Sequence, residues 1–264
     1  MKTHARPHPA LRGLPGAGAV LALLLSSNAG GAKSPPAEPT VEDLLNRTDD
    51  LMRGKSSVGT VTMHVKTARW DRKLTLKSWS KGTDKTLIVI EAPAKEKGTA
   101  TLKVDQDIWN YLPKVDRTIK VPASMMSGSW MGSHFTNDDL VRESRFVDDF
   151  TCTMESRPKD NPQQHYVIAC VPRPDAPVVW GKVVARVRGS DQLPDNITYF
   201  DEKGTLVRTM TYDEVKKLGD RTIPTHMKLV PADKPDEFTE MSYGDLKFDI
   251  DLPDSTFTLQ ALKR

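Results

Sequence analysis

Short runs of alternating apolar and polar residues, cut by turn-forming clusters at roughly 8–12-residue spacing, fill most of this chain and constrain its fold more than any other feature. Val61, Met63 and Val65 alternate with polar neighbours, as do Leu74 and Leu76, and then Ala100, Leu102 and Val104. Leu87 to Ile90 is apolar at every position, which suits a strand covered on both faces. Further strand-like runs occupy 108–112 and 118–121 and, after a break, 151–156, 166–171, 178–187, 196–200, 206–212, 222–229 and 238–246. Asp201-Glu202-Lys203-Gly204 is a strong hairpin turn. The pattern predicts a mainly β fold, a meander of about eleven antiparallel strands. A sheet that long must curl, and its concave face then needs a cover.

Two segments are available as that cover. Residues 40–54 read as a helix: Thr40 is a candidate N-cap, Glu42 and Asp43 suit the first turn, and Gly54 is a stop. Val41, Leu44, Leu45, Leu51 and Met52 recur at helical spacing, so the helix has one greasy face. A second start signal lies at Thr136 or Asn137, followed by Asp138 and Asp139.

The first 32 residues read as an export signal. Lys2, Arg6 and Arg12 precede the apolar run Leu14–Leu25, and small residues allow cleavage after Ala29 or Ala32. No cysteine stands near that point, which argues against an acylated N-terminus, and no other segment reads as transmembrane. Residues 33–40 form a Pro-rich leader, and 41–264 form a single domain. Residues 1–32 hold three of the 38 basic residues and no acidic one, so the remainder balances 35 basic against 35 acidic side chains. The basic character of the whole chain thus belongs to the signal, and nothing points to nucleic acid. Cys152 and Cys170 flank a turn-rich centre near residue 161, so a hairpin there sets them opposite each other as a disulfide pair. Two buried thiols are the alternative.

Residues 107–143 carry the functional signal. An aromatic strand, Ile108-Trp109-Asn110-Tyr111-Leu112, runs into a segment punctuated by Gly128 and Gly132 and rich in large apolar side chains: Met125, Met126, Trp130, Met131 and Phe135. Flexible thioethers and aromatics beside glycine hinges suit a surface that opens to greasy ligands of variable shape. Trp109, Tyr111, Met125, Met126, Trp130, Met131 and Phe135 are therefore the candidate ligand-binding residues, although the same side chains would equally fill a core. Chemistry finds little footing. The run Gly128-Ser129-Trp130-Met131-Gly132 lacks the central serine of a nucleophile elbow, and Ser78-Trp79-Ser80-Lys81 ends a strand instead of opening a helix. His64, His134, His165 and His226 have no metal-ligand spacing. No catalytic residue, metal or cofactor is expected.

Ile108-Trp109-Asn110-Tyr111-Leu112-Pro113, Arg117-Thr118-Ile119 and the run from Met131 to Leu140, with its Gly-Ser-x-Phe-x-x-x-Asp-Leu core, resemble the outer-membrane lipoprotein-sorting family, the LolA-like periplasmic proteins. A later Pro-x-x-Ile-x-Tyr-Phe-Asp-x-x-Gly run fits as well, while His134 stands where an acid is expected. The resemblance implies a half-open antiparallel barrel whose hollow is plugged by helices. It further implies a monomeric periplasmic carrier of lipid or lipoprotein acyl chains, touching membranes transiently and working beside an inner-membrane transporter. An envelope lipid sensor or adaptor of the same fold is the alternative, and a lipid hydrolase a more distant one.

Overall fold

The computed structural model describes residues 38–142, 146–161, 163–174, 176 and 178–263. The expected signal, 1–32, and residues 33–37 of the leader lie outside the described residues.

Helix α1 spans Val41–Arg53. Thr40 caps it, accepting from the Asp43 backbone N–H while the Asp43 carboxylate accepts from the Thr40 N–H, and Gly54 ends it at φ 66°. Six strands follow as a meander: β1 (Ser56–Lys66), β2 (Asp71–Lys81), β3 (Lys85–Ala92), β4 (Ala100–Val104), β5 (Asp107–Leu112) and β6 (Arg117–Lys120). Two short helices, α2 (Asn137–Arg142) and α3 (Phe146–Asp149), interrupt the pattern. The strands then resume: β7 (Phe150–Ser156), β8 (His165–Pro172), β9 (Lys182–Arg188), β10 (Pro194–Phe200), β11 (Leu206–Leu218), β12 (Arg221–Pro231), β13 (Phe238–Tyr243) and β14 (Lys247–Phe248). The chain closes with two 3₁₀ turns, Asp254–Phe257 and Ala261–Lys263, where the sequence suggests a helical turn and an edge strand.

Among the described residues the strands form one antiparallel sheet of fourteen, ordered β6-β5-β4-β3-β2-β1-β13-β12-β11-β10-β9-β8-β7, with β14 beside β1. Thirteen of the fourteen coincide with the runs read from the sequence, more than the about eleven strands expected, and only β14 has no such run. β14 has two residues, fewer than alternation can register. The β1–β13 pairing stitches the two meanders together, with Met63 opposite Met241 and Val61 opposite Tyr243. The ends of the order, β6 and β7, are not paired with each other, so the barrel stays open. β6 is exposed along its length and carries Arg117 and Lys120, charges that discourage edge-to-edge association. At the other edge Cys152 and Cys170 face each other across β7 and β8 and form a disulfide, Cα–Cα 4.0 Å.

The sheet is strongly curled. β4 and β9 stand eight strands apart in the order, roughly 38 Å if the sheet were flat. Side chains of both nevertheless line one cavity of about 270 Å³. Curling leaves two apolar layers. The larger lies on the concave side, where Leu44 of α1 and Trp130 and Phe135 of the α2 approach pack with Met63, Leu76, Ile90, Val183, Met210 and Leu229. The smaller lies on the convex side, where the closing turns place Leu252, Phe257, Ala261 and Leu262 over Leu87, Ala100 and Leu102.

Carboxylates fasten the chain ends to the sheet. Asp249 is held below its ordinary 3.8 by the Lys55 backbone N–H and then Arg221, and Asp254 by Lys85 and then Lys81. A carboxylate depressed in the folded state contributes stability that is present above its unfolded value and lost as pH falls through its folded value. Stability is therefore expected to drop on acidification below about pH 4. Asp249→Asn and Asp254→Asn should flatten that slope in denaturant titrations run across the acid range; an unchanged slope would count against these tethers.

Candidate functional site: a polar-ended hollow under a tethered flap

Strand register sorts the concave wall into rows. Ser57 pairs with Ser80, Ser80 with Thr86, and Thr86 with Lys103, so one row across β1 to β4 is three hydroxyls and an ammonium. Two residues further along, Gly59, Ser78, Ile88 and Thr101 form a mixed row. Beyond it Val61, Leu76 and Ile90 form an apolar one. Because side chains alternate between faces, every member of these rows points to the same side. Apolar wall continues round the curl through Met241, Met227, Met210, Ile197 and Ala185, with Leu45 and Met52 of α1 closing over it. The hollow is thus graded, polar at the Lys103 end and greasy in its body.

Residues 122–140 form a flap across this hollow. A bridge between Ser129 and Thr136 pinches off a loop, inside which the Trp130 N–H donates to the Phe135 carbonyl at 2.8 Å. The loop drives Trp130, 1% exposed, into the wall, where its indole N–H donates to Thr101 Oγ1 at 3.1 Å. Met131 and Gly132 take consecutive left-handed conformations, φ 50° and 67°, which glycine adopts freely and methionine does not. Asn137 fastens the first half of the flap, its amide donating to the carbonyls of Met125 and Gly128, both at 3.1 Å.

Polar tethers join the flap to separate parts of the sheet. Arg72 of β2 donates to the Met131 carbonyl and pairs with Glu96 at 3.0 Å. The His134 backbone N–H donates to Thr239 Oγ1 of β13 at 3.0 Å, and His134 Nε2 lies 3.2 Å from Glu237. Glu237 is held below its ordinary 4.5, first by the Ala68 backbone N–H and then by His134. Arg208 of β11 grips Asp139 of α2 with two hydrogen bonds, 2.8 and 2.6 Å. The same guanidinium lies against the rings of Trp180 and Tyr199, 4.4 and 4.3 Å from their centroids.

A family model described as "-like: Uncharacterized protein" matches residues 82–264. The chain belongs to that family. No curated protein matches it. Among solved structures it is similar to a DUF1329 family protein from Desulfovibrio piger: TM-score 0.74, 24% identity, covering 83% of this chain and 96% of that one. A putative outer membrane lipoprotein-sorting protein domain from Vibrio parahaemolyticus matches at TM-score 0.70 and 24% identity, covering 83% and 97%. A LolA superfamily protein from Nitrosomonas europaea matches at 0.70 and 23%, covering 85% and 100%. The open fourteen-stranded sheet under its helices is the LolA-superfamily fold.

Within that fold the candidate residues separate. Trp130 and Phe135 line the hollow. Met131 is half-buried against the same apolar layer. Met125 is 59% exposed and Met126 half-buried, both on the outer turn of the flap. Trp109 and Tyr111 are elsewhere: Trp109 pairs with Leu102 and packs on the convex layer beneath the C-terminal turns, and Tyr111 packs there too, under Lys263. They share a strand with hollow-facing positions, but alternation sends them through the sheet. The Ser129 hydroxyl donates to the Ser133 carbonyl at 2.5 Å, and Lys81 leaves the Ser78–Ser80 face to reach Asp254. Among the described residues no cluster of His, Cys, Asp or Glu could hold a metal ion, and no helix is long and apolar enough to cross a membrane. Sequence reasoning missed Lys103, Ser57, Ser80 and Thr86. The signal was present in the polar partners of Leu102 and Leu87, which looked like the wet side of their strands.

Proposed function

We propose that this chain is a non-enzymatic periplasmic carrier that shelters a lipid or lipoprotein acyl chain in the hollow and hands it between membranes, beside an inner-membrane transporter. The observation that carries the reading is the hollow itself: about 270 Å³ enclosed by Val61, Leu76, Ile88, Met210, Met227 and Met241 and not filled by them. Burying about ten methylenes there would contribute about 8 kcal/mol. That corresponds to micromolar binding before ordering costs, tight enough to hold cargo and weak enough to release it. The similarity to the putative outer membrane lipoprotein-sorting protein domain of Vibrio parahaemolyticus supports the same assignment. Entry requires the flap to lift about Gly128 and Gly132, exposing Trp130 and Phe135, while Met125, Met126 and Met131 adapt to the cargo.

Protein purified from the periplasm should carry a lipid visible by native mass spectrometry. Ala185→Phe, which fills the hollow from β9, should abolish binding of a fluorescent acyl probe while the circular dichroism spectrum stays unchanged. Wild-type protein that is clean on purification and binds no amphiphile would end this reading.

A further inference from the structure

We infer that the cargo of this hollow is a single-chain amphiphile with an anionic head, its tail in the methionine-lined body and its head at the Ser57–Ser80–Thr86–Lys103 row. This inference rests on the carrier reading and narrows it to a ligand class.

Charge gives the sign of the head. Among the described residues that line the hollow, Arg53 and Lys103 carry the basic side chains and Asp139 alone is acidic; Arg186 alternates with Ala185 and Val187 and its guanidinium donates to Asn196 on the other face of the sheet. The Asp139 carboxylate is committed to Arg208 and to the Thr136 N–H and hydroxyl. Strand direction brings these two cations and the hydroxyl row to the same end: Ser57 opens β1, Lys103 lies near the end of β4, and Arg53 ends α1 two residues before Lys55. Lys103 is 3% exposed, yet its ammonium sits in the wall of the hollow, directed towards the Thr83 carbonyl at the β2–β3 turn. A cation kept out of water in a ligand cavity favours an anion and penalises a cationic or unpaired neutral head. The flanking hydroxyls of Ser57, Ser80 and Thr86 both donate and accept, which suits the several oxygens of a carboxylate or a phosphate. Methionines supply nothing to an anion and lie at the other end of the polarity gradient.

Size gives the number of tails. About 270 Å³ is just below the range of roughly 300–1,000 Å³ usual for small-molecule sites. One chain is accommodated with the flap closed; several chains would require the flap to leave its Arg72, His134 and Asp139 tethers. Trp130, bonded to Thr101 in the row next to Lys103, stands between head and tail regions and fixes where one gives way to the other.

The test is displacement of a fluorescent fatty acid from the delipidated full domain by hexadecanoate, hexadecyl phosphate, hexadecanol and hexadecyltrimethylammonium. At least one anionic probe should compete about 10-fold or more better than the alcohol, the effect of one charge-assisted hydrogen-bonded contact. Which of the two anions wins distinguishes carboxylate from phosphate heads. Lys103→Met should erase the preference, so that acid and alcohol compete equally. Equal competition by acid and alcohol, or a preference for the trimethylammonium, overturns the anionic head and leaves the carrier reading intact. Failure of all four probes defeats both. The wild-type comparison decides even where Lys103→Met fails to fold. A crystal structure of the hexadecanoate complex supports the inference if the carboxylate lies within hydrogen-bonding distance of Lys103 Nζ, and overturns it if the tail points there instead.

Discussion

Asp139→Ala is expected to cost about 3–5 kcal/mol, the loss seen when one partner of a buried ion pair is removed. For a domain of this size that is a fall of about 6–20 °C in thermal midpoint. The reason lies with the group left behind. Arg208 is 6% exposed and packs against two aromatic rings. Burial pulls its proton affinity down, but the hydrogen bonds and charge of Asp139 outweigh burial and hold it above its ordinary value. Without Asp139 the guanidinium keeps the burial and loses the compensation. The carboxylate also caps α2 through the Thr136 N–H at 2.7 Å, so Asp139→Asn, which retains a cap acceptor but not the charge, separates the two contributions. The double variant Asp139→Ala with Arg208→Met should recover most of the loss, because neither buried charge then remains. Chemical denaturation measures all three. A single variant as stable as the wild type would remove this pair from any role in holding the flap.

Trp130→Ala is the second large effect, expected to cost about 3–5 kcal/mol as the largest side chain in the wall is deleted. Unlike most such deletions it opens onto an existing hollow, so the change in cargo should be as informative as the change in stability. On the single-chain proposal, two-chain phospholipid should not compete with hexadecanoate for the wild type and should begin to do so for this variant. Trp130→Phe keeps most of the apolar volume and removes the indole N–H that Thr101 accepts, for about 1 kcal/mol. The pair of variants therefore divides the residue's packing from its hydrogen bond. Should Trp130→Ala leave both the denaturation midpoint and the cargo range untouched, the wedge has no function in the wall.

How far the sequence carried this reading is clearest along β4. Alternation at Ala100, Leu102 and Val104 marked one apolar face correctly, and the structure puts Leu102 at 1% exposure. That face, however, is convex, buried by Leu252, Phe257 and Leu262 from the far end of the chain. Its polar alternates, Thr101 and Lys103, are buried too, in the hollow. Period-2 patterning reports which residues share a face and whether that face is greasy. It contains no information about which way a sheet curls. The same reasoning placed Trp109 and Tyr111 in the binding site, on a strand whose greasy face turns outward. The flap's residues are local: Trp130 and Phe135 lie five residues apart, are brought together by one pinched loop and both line the hollow.

By itself the sequence determined the local elements, since caps, turns and alternation act over a few residues: the Thr40 cap, the Gly54 stop, the Asp201–Gly204 turn and the Cys152–Cys170 pairing are all read from neighbours in the chain or across one hairpin. Only the tertiary structure decided the direction of curl, the side on which the C-terminal turns land, and the gathering of Arg53 and Lys103 with the Ser57–Ser80–Thr86 row at one end of a common hollow. Those outcomes depend on residues far apart in the chain, such as Leu262 over Leu102 and Arg53 and Lys103 on a common hollow, and no window along the chain contains them.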